Sequence, residues 1–240
     1  MSEKIIGILG GMGPEATIDL FTKIVKGTKA GKDQDHLRIL IDNNPKIPDR
    51  TLAIQGKGPS PLPQLVRSAK ILEKAGADFV IIPCVTAHYY YKSIQKKIKA
   101  PILHLVEITI QHITTRSKRF SKVGLLATTG TIQTRLFQKA FSHTGLKLIL
   151  PSPQIQKRWV MEAIYGKEGI KAMGPSAKSK HLIFQASNRL IRQGAQAIIA
   201  GCTEVPLVMK KGDLTVPVID PISLLAQAAI EKARGKKRKR

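Results

Sequence analysis

The sequence predicts an α/β protein with two similar domains, each a mainly parallel sheet flanked by helices, related by a pseudo-twofold axis with the functional cleft between them. Three observations carry this expectation. Short apolar runs alternate with amphipathic stretches, the pattern of parallel strands joined by crossover helices. With 240 residues the chain has room for two small α/β units, each with its own core. The second half also repeats landmarks of the first in the same order.

The first strand-like run lies near 4–9, and Pro14 suits the first turn of the helix that follows over 14–29, where its missing N–H costs nothing. Further strand-like runs fall near 37–42, 78–83, 101–105, 122–127, 147–150, 196–200 and 216–219. Helical stretches occupy 62–75, 86–98, 106–116, 131–143, 154–165, 177–193, 203–210 and 222–234.

The repeat appears when "KIIGILGGMGP" (4–14) is set against "KVGLLATTGT" (122–131) with Gly7 on Gly124. "GADFVIIPCVT" (76–86) then matches "GAQAIIAGCTE" (194–204), and Cys84 and Cys202 each fall eight residues after the glycine that opens the segment. Gly7 precedes Cys84 by 77 positions and Gly124 precedes Cys202 by 78, so the register survives across half the chain. "APILHLVE" (100–107) and "VPVIDPIS" (216–223) repeat a proline-bearing strand after each cysteine. Open parallel sheets bind ligands at the carboxyl ends of their strands. Each half is therefore expected to deliver one glycine- or threonine-rich turn and one cysteine to that edge, with the two thiols opposed across the cleft.

The formal net charge of +24 would suit nucleic acid, an anionic membrane surface or anionic small molecules as partners. No aromatic stacking motif or recognition-helix signature accompanies it. Specific nucleic-acid binding is therefore not expected, and lysines such as Lys92, Lys96, Lys97 and Lys99 read as a solvated basic surface. The closing run "GKKRKR" (235–240) is expected to be a disordered basic tail. No apolar run approaches the roughly 20 residues of a membrane span, so no membrane association is expected. The stretch Ile5 to Leu9 is shorter than a secretory h-region, which points to the cytoplasm. Two cysteines are too few for a disulfide framework, and metal-ligand spacing is absent.

A single free cysteine is commonly a small buried hydrophobe. Here both close a strand just before a turn bearing Thr86 or Thr203, where helix N–H groups and the dipole are expected to lower a thiol pKa. Opposed thiol and thiolate groups suit removal of a proton from one face of a carbon and return of another to the opposite face. "GILGGMGPEAT" (7–17) also holds Gly11-x-Gly13-x-x-Ala16, but Asp42 lies farther along than a dinucleotide fingerprint requires. A tight turn presenting N–H groups to a carboxylate accounts for the same glycines. "ATTGT" (127–131) offers an equivalent turn with hydroxyls, or simple helix capping by Thr129 or Thr131. "NNPKIPDRT" (43–51) carries Arg50 in a proline-stiffened loop, where it either grips a carboxylate in two places or remains a surface charge. His88 and Glu204, just beyond their cysteines, either orient a thiol or face solvent. Nothing compels pyridoxal phosphate, although lysines for a Schiff base are plentiful.

The motifs "GILGGMGPEAT", "NNPKIPDRT", "GADFVIIPCVTAH", "LLATTGT" and "IIAGCTEVP", in this order within residues 4–234, resemble the cofactor-independent aspartate/glutamate racemases. The resemblance implies interconversion of L- and D-aspartate, or of a related amino acid or small dicarboxylate, without pyridoxal phosphate, metal or nucleotide. Cys84 and Cys202 fall on that family's catalytic cysteines, and Arg50 falls on its substrate arginine. Lys171 in "IYGKEGIKAMG" (164–174) matches its substrate lysine, with Lys167 as the alternative. Met12, Val85, Thr86, Thr128, Thr129, Thr131, Thr203 and Glu204 complete the expected substrate-binding set. The resemblance also implies a homodimer and a last segment that returns to the first domain. The expected domains are thus 1–105 with 216–234, and 106–215.

Val85 is the departure. The family carries asparagine there, whose amide holds the substrate's α-amino or α-carboxylate end. Losing a hydrogen bond to a charged group costs about 1.5–3 kcal/mol, a roughly ten- to hundredfold effect on rate. The expectation is a retained framework with lowered efficiency or altered substrate choice, or a catalytically weak carboxylate-binding homologue.

Overall fold

The computed structural model describes residues 3–115, 120–209 and 212–235. It divides into two units, Met1–Ile108 with Ile222–Arg240, and Thr109–Pro221.

The first unit is built on a parallel sheet of β1 (Ile6–Gly10), β2 (Ile39–Asn43) and β3 (Phe79–Ile81) in the order β2-β1-β3. The central strand β1 is buried at every residue, as expected of a parallel strand covered on both faces, and so it reads as an apolar run rather than an alternation. Helix Pro14–Gly27 starts with its proline in the first turn and buries Ala16, Thr17, Leu20 and Ile24, a stripe of helical period. Helix Leu62–Lys74 buries Leu65, Ser68, Ala69 and Leu72 in the same way. The second unit carries β4 (Lys122–Leu126), β5 (Lys147–Ile149), β6 (Ile198–Ala200) and β7 (Val218–Ile219), all parallel, in the order β5-β4-β6-β7.

The repeat seen in sequence is a repeat of contacts. Gly7 pairs with Val80 and Gly124 with Ile198, and each cysteine follows its paired residue by four positions. A Cβ on Gly7 would lie 2.9 Å from the Cβ of Ala77 and 3.4 Å from that of Leu72. One on Gly124 would lie 3.2 Å from the Cβ of Ala195 and 3.1 Å from Leu190 Cδ1, the matching residues. Glycine at these points lets the helix that precedes each cysteine strand press against the first strand. Gly76 (φ 95°) and Gly194 (φ 96°) end those helices in the left-handed region, and Ala77 N–H and Ala195 N–H return to the carbonyls of Leu72 and Leu190, each at 3.0 Å. Even the strand-start clamp recurs: Asp78 Oδ2 accepts from Ile5 N–H at 2.6 Å, and Gln196 Oε1 accepts from Lys122 N–H at 3.2 Å.

Several expected elements change. The strand expected at 101–105 is a single bridge from Ile102 to Val80. Its counterpart at 216–219 forms β7, which pairs with β6, so Val218 and Ile219 join the second unit's sheet and the chain re-enters the first unit at Ile222. Helix 86–98 splits into a 3₁₀ turn, Thr86–Tyr90, and a short helix, Tyr91–Gln95. Stretch 131–143 breaks at Arg135, whose φ is 58°. Stretch 154–165 contains a π-helical segment, Gln156–Met161. Stretch 203–210 contracts to Val205–Val208, with Lys210 outside the described residues. The tail expected at 235–240 lies outside them beyond Gly235. Among the described residues, no helix is long and apolar enough to cross a membrane.

Candidate functional site

In each unit the turns of interest leave the same carboxyl edge of the sheet. Leu126 and Ala200 form one rung of β4 and β6, and Thr128 and Cys202 stand two residues beyond it. In the first unit Met12 follows β1 and Cys84 follows β3.

Met12 and Arg50 come together. Arg50, 7% exposed, donates from Nη2 to Met12 O at 3.3 Å and from Nη1 to Ile47 O and Pro48 O at 3.3 and 3.1 Å. It therefore laces the glycine turn to the loop before it. Arg50 also begins a short helix, Arg50–Ile54, capped by the Asp49 side chain at Leu52 N–H, where the sequence suggested only a loop. At Gly11, whose φ is 89°, a Cβ would run into the Asn44 backbone, which explains the glycine. The Gly11 N–H donates to Thr17 Oγ1 at 2.9 Å, so this amide serves the fold rather than the carboxylate expected from sequence.

Cys84, 5% exposed, is followed by Val85 at 2% and by buried Thr86. His88 does not touch the thiol; its Nδ1 lies 2.9 Å from Cys84 O, and its Nε2 accepts from Leu105 N–H at 3.2 Å. An accepting Nε2 leaves the ring proton on Nδ1, which donates to the Cys84 carbonyl. Burial, with the neighbouring His104, lowers the His88 pKa from 6.5 to about 4. His88 is thus a neutral pin that fixes the backbone of the cysteine turn. The alternative that it faces solvent is excluded by its burial.

In the second unit the thiol itself is held. Cys202 Sγ donates to Glu204 Oε2 at 2.8 Å, and Thr203 Oγ1 donates to the same oxygen at 3.2 Å. The other carboxylate oxygen pairs with Lys171 Nζ, which also stands 5.6 Å over the Tyr165 ring. Of the two lysine candidates, Lys171 reaches this cluster, while Lys167 is exposed. Burial first, and then the Glu204 charge, push the Cys202 thiol well up, with Lys171 opposing. The expectation of a lowered pKa fails here because only a four-residue helix follows and a carboxylate sits against the sulfur.

Thr128, Thr129 and Thr131 form one capped turn. Thr128 Oγ1 accepts from Thr131 N–H at 3.3 Å and lies 3.2 Å from Thr131 Oγ1. Gln156, which sequence reading passed over, fastens this turn by donating to Ala127 O at 2.9 Å and to Thr129 Oγ1 at 3.3 Å. Its signal was a polar residue in register with the buried Val160, Ala163 and Ile164.

The chain belongs to the Asp/Glu/Hydantoin racemase family, whose model matches residues 9–229. These are isomerases that act on small amino-acid substrates. The chain is 30% identical over 234 residues to the broad specificity amino-acid racemase RacX of Bacillus subtilis, covering 94% of this chain and 96% of that protein. Among solved structures, the aspartate racemase of Picrophilus torridus superposes with a TM-score of 0.81 at 30% identity, covering 98% of this chain and 96% of that one. Glutamate racemase from Francisella tularensis, solved with D-glutamate, shares the fold at a TM-score of 0.70 and 15% identity, covering 100% of this chain and 86% of that one.

Proposed function

We propose that this chain is a cofactor-independent racemase that interconverts L- and D-aspartate, one cysteine removing the Cα proton while the other delivers a proton to the opposite face of the carbon. The observation that supports this most is the repeated thiol, buried and four residues past the strand position paired with Gly7 or Gly124. Packing alone would be served by alanine or valine at either place, whereas inversion at carbon requires one acid and one base. Cys202, with its pKa raised by burial and Glu204, begins as the protonated partner. Glu204 and Lys171 act as positioning residues for that thiol, and Arg50 and Lys171 are the cations suited to a substrate carboxylate.

A second reading concerns the substrate. The Val85 side chain offers no hydrogen bond beside Cys84, and the Lys171 charge is already matched by Glu204. Both features favour a side chain other than a carboxylate, in keeping with the broad specificity of the Bacillus subtilis relative. Incubation in deuterium oxide without added cofactor, with L-aspartate and a panel of neutral and basic amino acids, separates the two readings. Loss of the Cα-proton signal with appearance of D-aspartate supports the first, and exchange confined to other amino acids supports the second. A folded sample that exchanges none of them overturns racemisation.

A further inference from the structure

Away from the cysteine turns, the second unit carries a surface cavity of about 510 Å³ lined by Trp159, Gln185, Asn188 and three arginines, Arg158, Arg189 and Arg192. Among the described residues, no carboxylate lines it. Among the described residues, none of the three guanidiniums forms an ion pair. Arg189 and Arg192 occupy the last turn of helix Ala177–Arg192, where cations complement the helix dipole. That accounts for two of the arginines but not for Arg158, which arrives from the π-helical segment Gln156–Met161.

The π segment also supplies Trp159, and it is anchored from behind. Gln156 donates to Ala127 O, and Met161 Sδ accepts from Thr129 N–H at 3.3 Å. Trp159 packs partly against the unit's core, so one side of the indole is held. Such π turns are rare and recur at functional sites. The result is a fixed aromatic surface beside three planar cations, with amide side chains at the wall.

We propose that this cavity binds a nucleotide-class ligand, its aromatic ring against Trp159 and its phosphate oxygens on Arg158, Arg189 and Arg192. Guanidinium forks match phosphate oxygens in pairs, and three cations without a counter-ion exceed what one carboxylate needs. An indole is a good platform for a base. The volume lies within the ~300–1,000 Å³ of small-molecule sites, and an open cavity of this size with one aromatic suits a single nucleotide better than a strand of nucleic acid, which needs a continuous basic track.

Trp159 is the only tryptophan in the chain, so its emission reports on this cavity alone. Titration of the full chain with ADP is expected to change that emission saturably. In Arg189→Ala/Arg192→Ala the midpoint is expected to rise by at least about tenfold, while circular dichroism and the alkylation rate of Cys202 stay unchanged. An unsaturable response in the wild-type chain overturns the proposal. Inorganic phosphate matching the ADP midpoint overturns it as well, because the ring then contributes nothing. A single-stranded oligonucleotide that displaces ADP and loses its hold steeply with salt reassigns the surface to nucleic acid and overturns it too.

Discussion

Cys84 is followed by Val85 and Thr86, and Cys202 by Thr203 and Glu204. In the first turn the backbone is what is held: His88 bonds the Cys84 carbonyl and the Leu105 amide and leaves the sulfur alone. In the second the sulfur itself is held, by a carboxylate that also engages Thr203 and Lys171. The register is common to both, while the chemistry around each thiol is not. A repeated scaffold can therefore place two like groups, and the residues just after each one differentiate them. That is what a reaction needs in which one group starts as acid and the other as base.

The largest effect should come from removing either thiol. Cys84→Ala and Cys202→Ala are each expected to lower racemisation by roughly 10²–10⁴-fold, measured by chiral chromatography on folded protein. Residual Cα exchange in deuterium oxide should be confined to opposite enantiomers in the two variants. Full racemisation by either one would end the two-base reading.

His88 separates the turns by their response to acid. It titrates at about 4 in the fold against 6.5 unperturbed, so between those values the unfolded chain binds a proton that the folded one refuses. The stability this represents is complete above pH 6.5 and is lost as pH falls through 4, about 3 kcal/mol in all. Burial lowers the His104 pKa too, which adds a slope of the same sign. The second unit has Pro206 at the matching position. Hydrogen exchange at pH 4.5 is therefore expected to accelerate at the Leu105 amide before the β4 and β6 amides, and His88→Gln should flatten the pH dependence of denaturant stability across this window. Equal acceleration in both units would remove the distinction.

What the sequence disclosed and what it hid divide along physical lines. Gly7, Gly124, Gly76 and Gly194 were legible as landmarks because close backbone approach and positive φ tolerate little else. The alternation of strands and helices was legible because parallel strands buried on both faces read as apolar runs. The partners of Arg50 were not, since one of its acceptors is a carbonyl 38 residues away. The break in the helix expected at 86–98 was hidden for a similar reason, because His88 reaches an amide 17 residues on. The raised pKa of Cys202 came from burial first and then from Glu204, whose side chain had two readings until its oxygens were located.

The shared glycine contact offers a smaller test of how far the halves are alike. At Gly7 an added methyl meets the Ala77 Cβ at 2.9 Å and the Phe79 carbonyl oxygen at 3.3 Å, neither of which can swing aside. At Gly124 its two nearest neighbours are Ile198 Cδ1 at 2.6 Å and Leu190 Cδ1 at 3.1 Å, the ends of flexible side chains, and the fixed Ala195 Cβ stands farther off, at 3.2 Å, than Ala77 does from Gly7. Gly7→Ala is expected to destabilise by about 1–3 kcal/mol and Gly124→Ala by less, read from denaturant midpoints. The reverse order would mean that the Ile198 and Leu190 side chains are locked.

The smallest expected effect concerns the charge at the second turn. With Cys84→Ala as background, the iodoacetamide rate of Cys202 against pH reports its thiolate. Glu204→Gln keeps an acceptor for the thiol but removes the negative charge that is second only to burial in raising its pKa, so the profile should move to lower pH. Lys171→Met removes the opposing charge and should move it to higher pH. Each change should alter the rate at neutral pH by less than about tenfold, because burial, the larger cause, remains. Shifts in the same direction for both variants would mean that Glu204 and Lys171 act on the sulfur by packing, and the contrast between the two turns would then lie in shape rather than in charge.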